Sequence, residues 1–276
     1  MLRFFLSPRL APIVVLCGAL LAFLVLNPST EENDSLILVA TTSTDNSGLL
    51  EFLLPHFEDK YAINVRVLTT GSGQALNIGR NGDADVLLVH DPHAEQQFVR
   101  AGHARFHHAI MHNDFILVGP RHDPCAIKGA SNLRQAMTLF LASCAPFISR
   151  GDNSGTHTKE KELWHNATIT NHEAQPWYRQ SGSGMGATLN IAASLDAYTL
   201  SDRATFTSFM NKQNLVVLYQ KDPHLDNVYS LILPKKHRHS TTTPAQQLAQ
   251  WLTSPEGKDT INAFTIHNQQ VFFATP

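Results

Sequence analysis

The segment Leu36–Leu50, LILVATTSTDNSGLL, restricts the possible folds more than any other part of the chain. Leu36-Ile37-Leu38-Val39 is a short apolar run of the kind found in buried strands. Thr41, Thr42, Ser43 and Thr44 follow as consecutive hydroxyl residues. Asp45, Asn46 and Ser47 are good N-cap residues, and Gly48 to Phe57 has helical apolar spacing, with Pro55 near its end. A strand that delivers hydroxyls and free amides to a helix N-terminus makes an anion site, because the first amides of a helix lack partners and the dipole end is positive. The same hydroxyls also serve simply to cap the helix, and this stretch alone leaves both readings open.

The order then repeats. Asn64 to Thr69 alternates as a strand and runs into Thr70-Gly71-Ser72-Gly73, followed by a helix carrying Gln74, Ala75, Leu76 and Ile78. The glycines let backbone approach a ligand, and Ser72 supplies a donor. Asn81 to Asp85 is a turn into the apolar strand Val86–Val89. A βαβαβ order predicts parallel strands with crossover helices, and ligands in such sheets sit at the carboxyl ends of strands. His90 and His93, just past that strand, either reach the cleft edge or, on the plainer reading, lie in a solvated loop.

The chain opens with Arg3 and Arg9 ahead of an apolar stretch from Leu10 to Leu26. A basic start before such a core is an export signal. Residues 1–30 are therefore either a cleaved signal peptide or an uncleaved membrane anchor, and either places the rest outside the cytoplasmic membrane. The remaining ~245 residues suffice for one large domain or two lobes. Removing Arg3 and Arg9 from 21 basic residues leaves 19 against 23 acids, about −4. A weakly acidic chain argues against nucleic acid or an anionic membrane face as partner, so a bound anion must be held locally. Cys125 and Cys144 are the cysteines beyond the N-terminal segment; they either pair or stay as buried thiols.

Asn113 to Pro120 reads as a strand crossing between lobes. His107, His108 and His112 precede it, without the carboxylate or cysteine spacing of a metal site. Pro146 to His157, PFISRGDNSGTH, is the densest polar loop. Arg150 offers a fork of donors suited to two oxygens of a tetrahedral anion. Ser154 and Thr156 add hydroxyls at the start of a helix near Thr158. Asp152 is the orienting partner of Arg150, or a cap. GDNSG is like the loop around a protease serine, but with an inserted residue and no His/Asp partners in pattern. Ser181 to Gly186 imitates a dinucleotide loop yet lacks the preceding apolar strand and the following acid. It reads as a turn opening a helix over Ala187 to Ala197, with Thr188 in the first turn. Trp177 and Tyr178 either line the cleft or pack in the core. Leu215–Tyr219 is another strand, Val228–Pro234 returns to the first lobe, and Pro244–Leu252 and Ile261–Phe273 complete it. No cofactor pattern is found.

Four segments together resemble the tungstate-binding periplasmic proteins of ABC transporters. They are ATTSTDNSGLL at Ala40, TGSGQAL at Thr70 with GDADVLLVH at Gly82, SRGDNSGTH at Ser149, and GMGATL at Gly184. Tyr198–Arg203 and Asn113–Pro120 fit as well. The family's hydroxyl motif usually reads Thr-Thr-Thr-Ser; its first position here is Ala40, and its clamping arginine falls on Arg150. The resemblance implies an α/β, two-lobed type II periplasmic binding protein with a central mixed sheet in each lobe and a hinge between them. Residues 36–117 with 228–276 would form one lobe and 118–227 the other. It implies a tungstate site in the cleft made by Thr42, Ser43, Ser72, Arg150, Ser154, Thr156 and Thr188, with tungsten held as an oxyanion and no direct metal ligands. It also implies delivery to a permease driven by an ATPase, by a monomer that is not an enzyme. Tungstate is a dianion at neutral pH, and a donor-only site suits it. Molybdate, sulfate and phosphate share its shape, and a membrane-tethered oxyanion sensor is the reading that changes class.

Overall fold

The computed structural model describes residues 35–142, 145–237 and 243–276. The expected parallel unit is present. β1 (Ser35–Thr41), β2 (Asn64–Thr70) and β3 (Val86–Val89) pair in parallel, with β1 between the other two. The helices between and after them are α1 (Thr42–Asn46), α2 (Leu49–Tyr61), α3 (Ser72–Asn81) and α4 (Pro92–Arg100). Alternation along β1 sends Leu36, Leu38 and Ala40 to one sheet face, packed on Leu50, Leu53 and Phe57 of α2. Val39 faces the other side, against Ala75 and Leu76 of α3 and Phe98 of α4.

The hydroxyl run departs from expectation. Thr42 to Asn46 is itself a short helix, and Asp45 and Asn46 lie inside it. The longer helix is capped by Gly48, in the left-handed region at φ +79°, with no side-chain cap. The reason lies in the buried hydroxyls: Thr41 Oγ1 bonds Thr44 Oγ1 at 2.8 Å and Ser43 Oγ at 3.1 Å. That cluster closes a helical turn at once, and a left-handed glycine then redirects the chain.

β4 (Ala104–Pro120) is far longer than the predicted crossing strand. It pairs antiparallel with β9 (Asp226–Pro234) from Ala104 to Asp114, then with β7 (Thr199–Asp202) and β8 (Leu215–Tyr219) from Phe115 to Pro120. One strand thus belongs to both sheets, and it changes sheet between Asp114 and Phe115. Arg203 grips Asp114 there through two bonds of 2.6 Å. His107, His108 and His112 lie within β4 and not ahead of it; His107 Nε2 meets the buried Glu95 at 3.0 Å. Among the described residues no group of three or more His, Cys, Asp and Glu could hold a metal.

The second lobe adds α5 (Leu133–Leu139), β5 (Phe147–Ser149), α6 (Gly155–Asn166), β6 (Tyr178–Gln180), α7 (Met185–Ser194) and α8 (Arg203–Ser208). Phe115 and Leu117 of β4 enter an aromatic core with Phe140, Phe147, Trp164 and Tyr198, while Ile116 and Val118 face Met185 and Leu189 of α7. Trp177 and Tyr178 belong to that aromatic core. Gly119 must be glycine, since a Cβ would stand 2.3 Å from the Tyr198 ring. Cys125 is disulfide-bonded; Cys144, its expected partner, lies outside the described residues, as does the whole of residues 1–30. The chain ends with α9 (Thr243–Thr253), α10 (Pro255–Ala263), the short pair β10 (Thr265–Ile266) and β11 (Gln269–Gln270), and β12 (Phe273–Ala274), which pairs with β4. Among the described residues no helix is long and apolar enough to cross a membrane.

Candidate oxyanion site

A cavity of ≈ 700 Å³ opens where the carboxyl ends of β1 and β2 face the loop after β5. Thr42, Asp45, Asn46, Thr69, Thr70, Gly71, Gly73 and Gln74 form one wall, and Arg150, Asp152, Asn153, Ser154 and Gly184 the other. The N-caps of three helices reach it. They are Gly71 of α3, Ser154 of α6 and Gly184 of α7, and these helices run to 10, 12 and 10 residues. Neither glycine cap contributes a side-chain bond, so the first amides of α3 and α7 are left without a cap side chain. Three positive dipole ends therefore converge on one space.

Arg150 is the one lysine or arginine in the lining and is only 6% exposed. Its Nε and Nη2 donate to Asp152 Oδ2 at 3.1 and 2.5 Å. Nη1 bonds none of the described residues, so part of the fork is uncommitted. The Asp152 carboxyl is pushed up by partial burial, but bonds from Ser154 and the Arg150 charge outweigh this and hold it below the usual carboxylate range. Asp152 is thus the orienting partner of Arg150. It also receives the Ser154 amide at 3.2 Å, which ties the loop to the α6 N-terminus. Asn153 adopts φ +57°, and its amide donates to His157 Nδ1 at 3.0 Å.

Behind the loop lies Glu160 of α6. Its Oε1 accepts from Trp164 Nε1 at 3.0 Å and from the Tyr178 hydroxyl at 2.8 Å. Burial pushes this carboxyl up to about 7, against the pull of donors from Ser149, Tyr178 and Trp164. Ser149 Oγ in turn accepts the Gly151 amide at 3.2 Å, so the two residues flanking Arg150 are held through Ser149.

Of the residues expected at the site, Thr42, Arg150 and Ser154 line the cavity. Ser43, Ser72, Thr156 and Thr188 are buried away from the lining. Ser43 Oγ bonds His90 Nε2 at 3.2 Å, and Ser72 Oγ accepts the His90 amide at 3.5 Å. Thr188 Oγ1 bonds Ser181 Oγ at 2.8 Å and the Gly184 carbonyl at 3.1 Å, which shapes the turn carrying that N-cap. Ala40, at the missing hydroxyl position, is fully buried in the core, so its change removes no cavity contact. His90 is the main correction: it is 7% exposed and not solvated. Its partner is Asn227, 137 residues away, which no local pattern announces. Asn46, Thr69, Thr70, Gln74 and Asn153 are further lining residues, and all but Asn46 lie within three residues of one of the three N-caps, a signal present in the sequence.

Residues 28–256 match the family model for a PBP superfamily domain. The chain is 39% identical over 239 residues to the tungstate-binding protein TupA of Peptoclostridium acidaminophilum, covering 85% of this chain and 83% of that one. It is 40% identical over 252 residues to a putative ABC transporter anion-binding protein of Haloferax volcanii, covering 89% and 72%. Among solved structures, TupA from Desulfovibrio alaskensis G20 is 38% identical, with a TM-score of 0.77 over 87% of this chain and 98% of that one. The tungstate ABC transporter structure from Geobacter sulfurreducens is 41% identical, with a TM-score of 0.76 over 84% and 99%. This chain belongs to the PBP superfamily and, within it, to the family of the TupA proteins.

Proposed function

We propose that the protein binds tungstate in the cavity between its lobes and delivers it to an ABC permease. The observation that carries this is the convergence of the α3, α6 and α7 N-caps on a cavity with Arg150 as its one lysine or arginine. Amides, hydroxyls and one guanidinium make a donor-rich site for a fully deprotonated dianion. Several buried cations would be costly when the cavity is empty; helix ends supply partial charge without that cost. Thr42, Arg150 and Ser154 contact the anion directly. Ser43, Ser72, Thr156 and Thr188 support the loops behind it.

A volume of ≈ 700 Å³ exceeds what one tetrahedral oxyanion fills, which leaves room for closure. The two lobes, residues 36–117 with 228–276 and residues 118–227, close about the β4 and β9 strands, and the bound anion stabilises the closed form. The closed protein docks as a monomer on the permease, whose ATPase works on the cytoplasmic side. It acts in the periplasm, exported by residues 1–30, and no catalytic residue is assigned.

Thermal melting of the full chain with tungstate, molybdate, sulfate and phosphate in separate samples tests this. A ligand at ~1000 times its dissociation constant adds about 4 kcal/mol of stability. A large shift with tungstate alone supports the selective reading, and equal shifts with tungstate and molybdate remove the selectivity. Phosphate belongs in the set because Asp45 lines the cavity as an acceptor for the proton of monohydrogen phosphate. No shift with any of the four overturns the binding function.

A further inference from the structure

His90 joins three parts of the molecule that the chain keeps far apart. Its Nε2 bonds Ser43 Oγ at 3.2 Å, beside the hydroxyl run at the cavity. Its Nδ1 bonds Asn227 Oδ1 at 2.9 Å, and its ring stacks on Tyr229 at 4.8 Å. Asn227 of β9 stands opposite Asn113 of β4, one pair before β4 leaves for the second sheet. The two asparagine side chains are bonded at 2.7 Å. On the opposite lobe, a Cβ at Gly155 would sit 2.7 Å from His90 Cε1, so the imidazole lies directly against the start of α6.

The bonds run in one direction. Asn227 Nδ2 donates to Asn113 Oδ1 and to the Tyr229 hydroxyl, so Asn227 Oδ1 is the acceptor facing His90. Nδ1 of His90 therefore carries the hydrogen, and Nε2 accepts from the Ser43 hydroxyl. Burial first, then the nearby Arg150 charge, lower the His90 pKa to about 4 against the opposing pull of Asn227 and Asp91. The ring is neutral at pH 7, and this polarity holds. Among the described residues Asn113 Nδ2 makes no hydrogen bond of good geometry, though it stands near the Tyr229 hydroxyl. A weakly held donor where both joining strands meet leaves room for a second arrangement, which a two-position hinge needs.

We propose that His90 is a positioning residue linking the cavity hydroxyls to the hinge through the chain Ser43–His90–Asn227–Asn113. It holds Ser43 with its hydrogen turned inward, so that the neighbouring Thr42 faces the anion, and it passes the state of that loop to the strands about which the lobes close. This rests on the proposed oxyanion binding.

The test is calorimetric titration with sodium tungstate of the full chain and of H90L, H90Q, S43A, N227A and the S43A/N227A pair. A glutamine amide offers one donor and one acceptor in place of the two ring nitrogens, whereas leucine offers neither. H90L is expected to bind about tenfold or more weakly, and H90Q to stay within about threefold of wild type. Ser43 and Asn227 are bridged by His90 and also by the Tyr229 hydroxyl, so their effects on affinity are expected to be non-additive by about fivefold or more, and this coupling is expected to vanish when the same cycle is run in H90L. Affinity is read on folded protein, so a loss of stability alone does not produce this pattern. Additive effects within about twofold overturn the relay, as does H90Q binding no better than H90L. No binding by the wild type overturns the proposed function and the relay together; wild-type binding with an additive cycle overturns the relay alone.

Discussion

The two walls of the cavity reach the same end by different chemistry. The wall from the first lobe offers the hydroxyls and amides of Thr42, Thr69, Thr70 and Gly71, with the carboxylate of Asp45 as its one charged group. The wall from the second lobe carries Arg150, already paired with Asp152 and braced from behind by Glu160 and an aromatic core. The cation stands on one wall only, so no cation faces another across the empty cavity. The same placement means that neither wall alone completes a tetrahedral cage. In the proposed binding, the lobe holding the guanidinium supplies attraction, the other supplies direction, and the anion draws them together.

On that division of roles Arg150→Ala is the heaviest loss. Charge-assisted bonds contribute ~1.5–3 kcal/mol each, so tungstate binding should weaken by about 100-fold or more by calorimetry. Near wild-type affinity in that variant would remove Arg150 from the site.

Glu160→Gln probes the bracing of the charged wall through pH. The Glu160 carboxyl lies raised from 4.5 to about 7 in the fold. Its protonated form therefore contributes stability in full below pH 4.5, and this is lost as pH rises through about 7. His90, lowered from 6.5 to about 4, acts in the opposite sense: its contribution is full above 6.5 and lost as pH falls through about 4. Urea unfolding should show the Gln variant gaining about 3 kcal/mol relative to wild type between pH 4.5 and 8. A gap that does not change with pH contradicts this.

On the wall without the guanidinium the effects are smaller. Thr42→Val keeps shape and loses one neutral donor, so affinity should fall about five- to tenfold, roughly 1 kcal/mol. A loss as large as that of Arg150→Ala would erase the contrast between the walls. Gly184→Ala is smaller still. A Cβ there meets no protein atom, and the backbone at φ −61° accepts alanine. Tungstate affinity should drop by about threefold from crowding, with unliganded melting lowered by no more than about 4 °C, since alanine is a poorer N-cap than glycine by up to about 1 kcal/mol. A larger fall in melting temperature would show that Gly184 matters for folding instead.

Much of this was legible in the residues. The strands 36–39, 64–69, 86–89 and 215–219 were plain because apolar runs and alternation are local signals, and the structure contains all four. Arg150 with Asp152 was readable because the pair lies two residues apart. The turning-in of Ser43, Ser72, Thr156 and Thr188 was not. A hydroxyl at a strand end looks the same in sequence whether it faces a cavity or a buried histidine. His90 was misread for the same reason: its burial depends on Asn227 and Tyr229, brought close only when β9 pairs with β3. The length of β4 was hidden by its histidines, which alternate with apolar residues less cleanly than the segment after Asn113.

The central claim is a place as much as a ligand. Crystals of the full chain grown with tungstate and measured at a tungsten absorption edge would locate the metal by anomalous scattering. One peak between Thr42, Arg150 and Ser154, with the Arg150 fork on its oxygens, is the predicted result. A peak elsewhere on the molecule, or an empty cavity at saturating tungstate, would contradict the account.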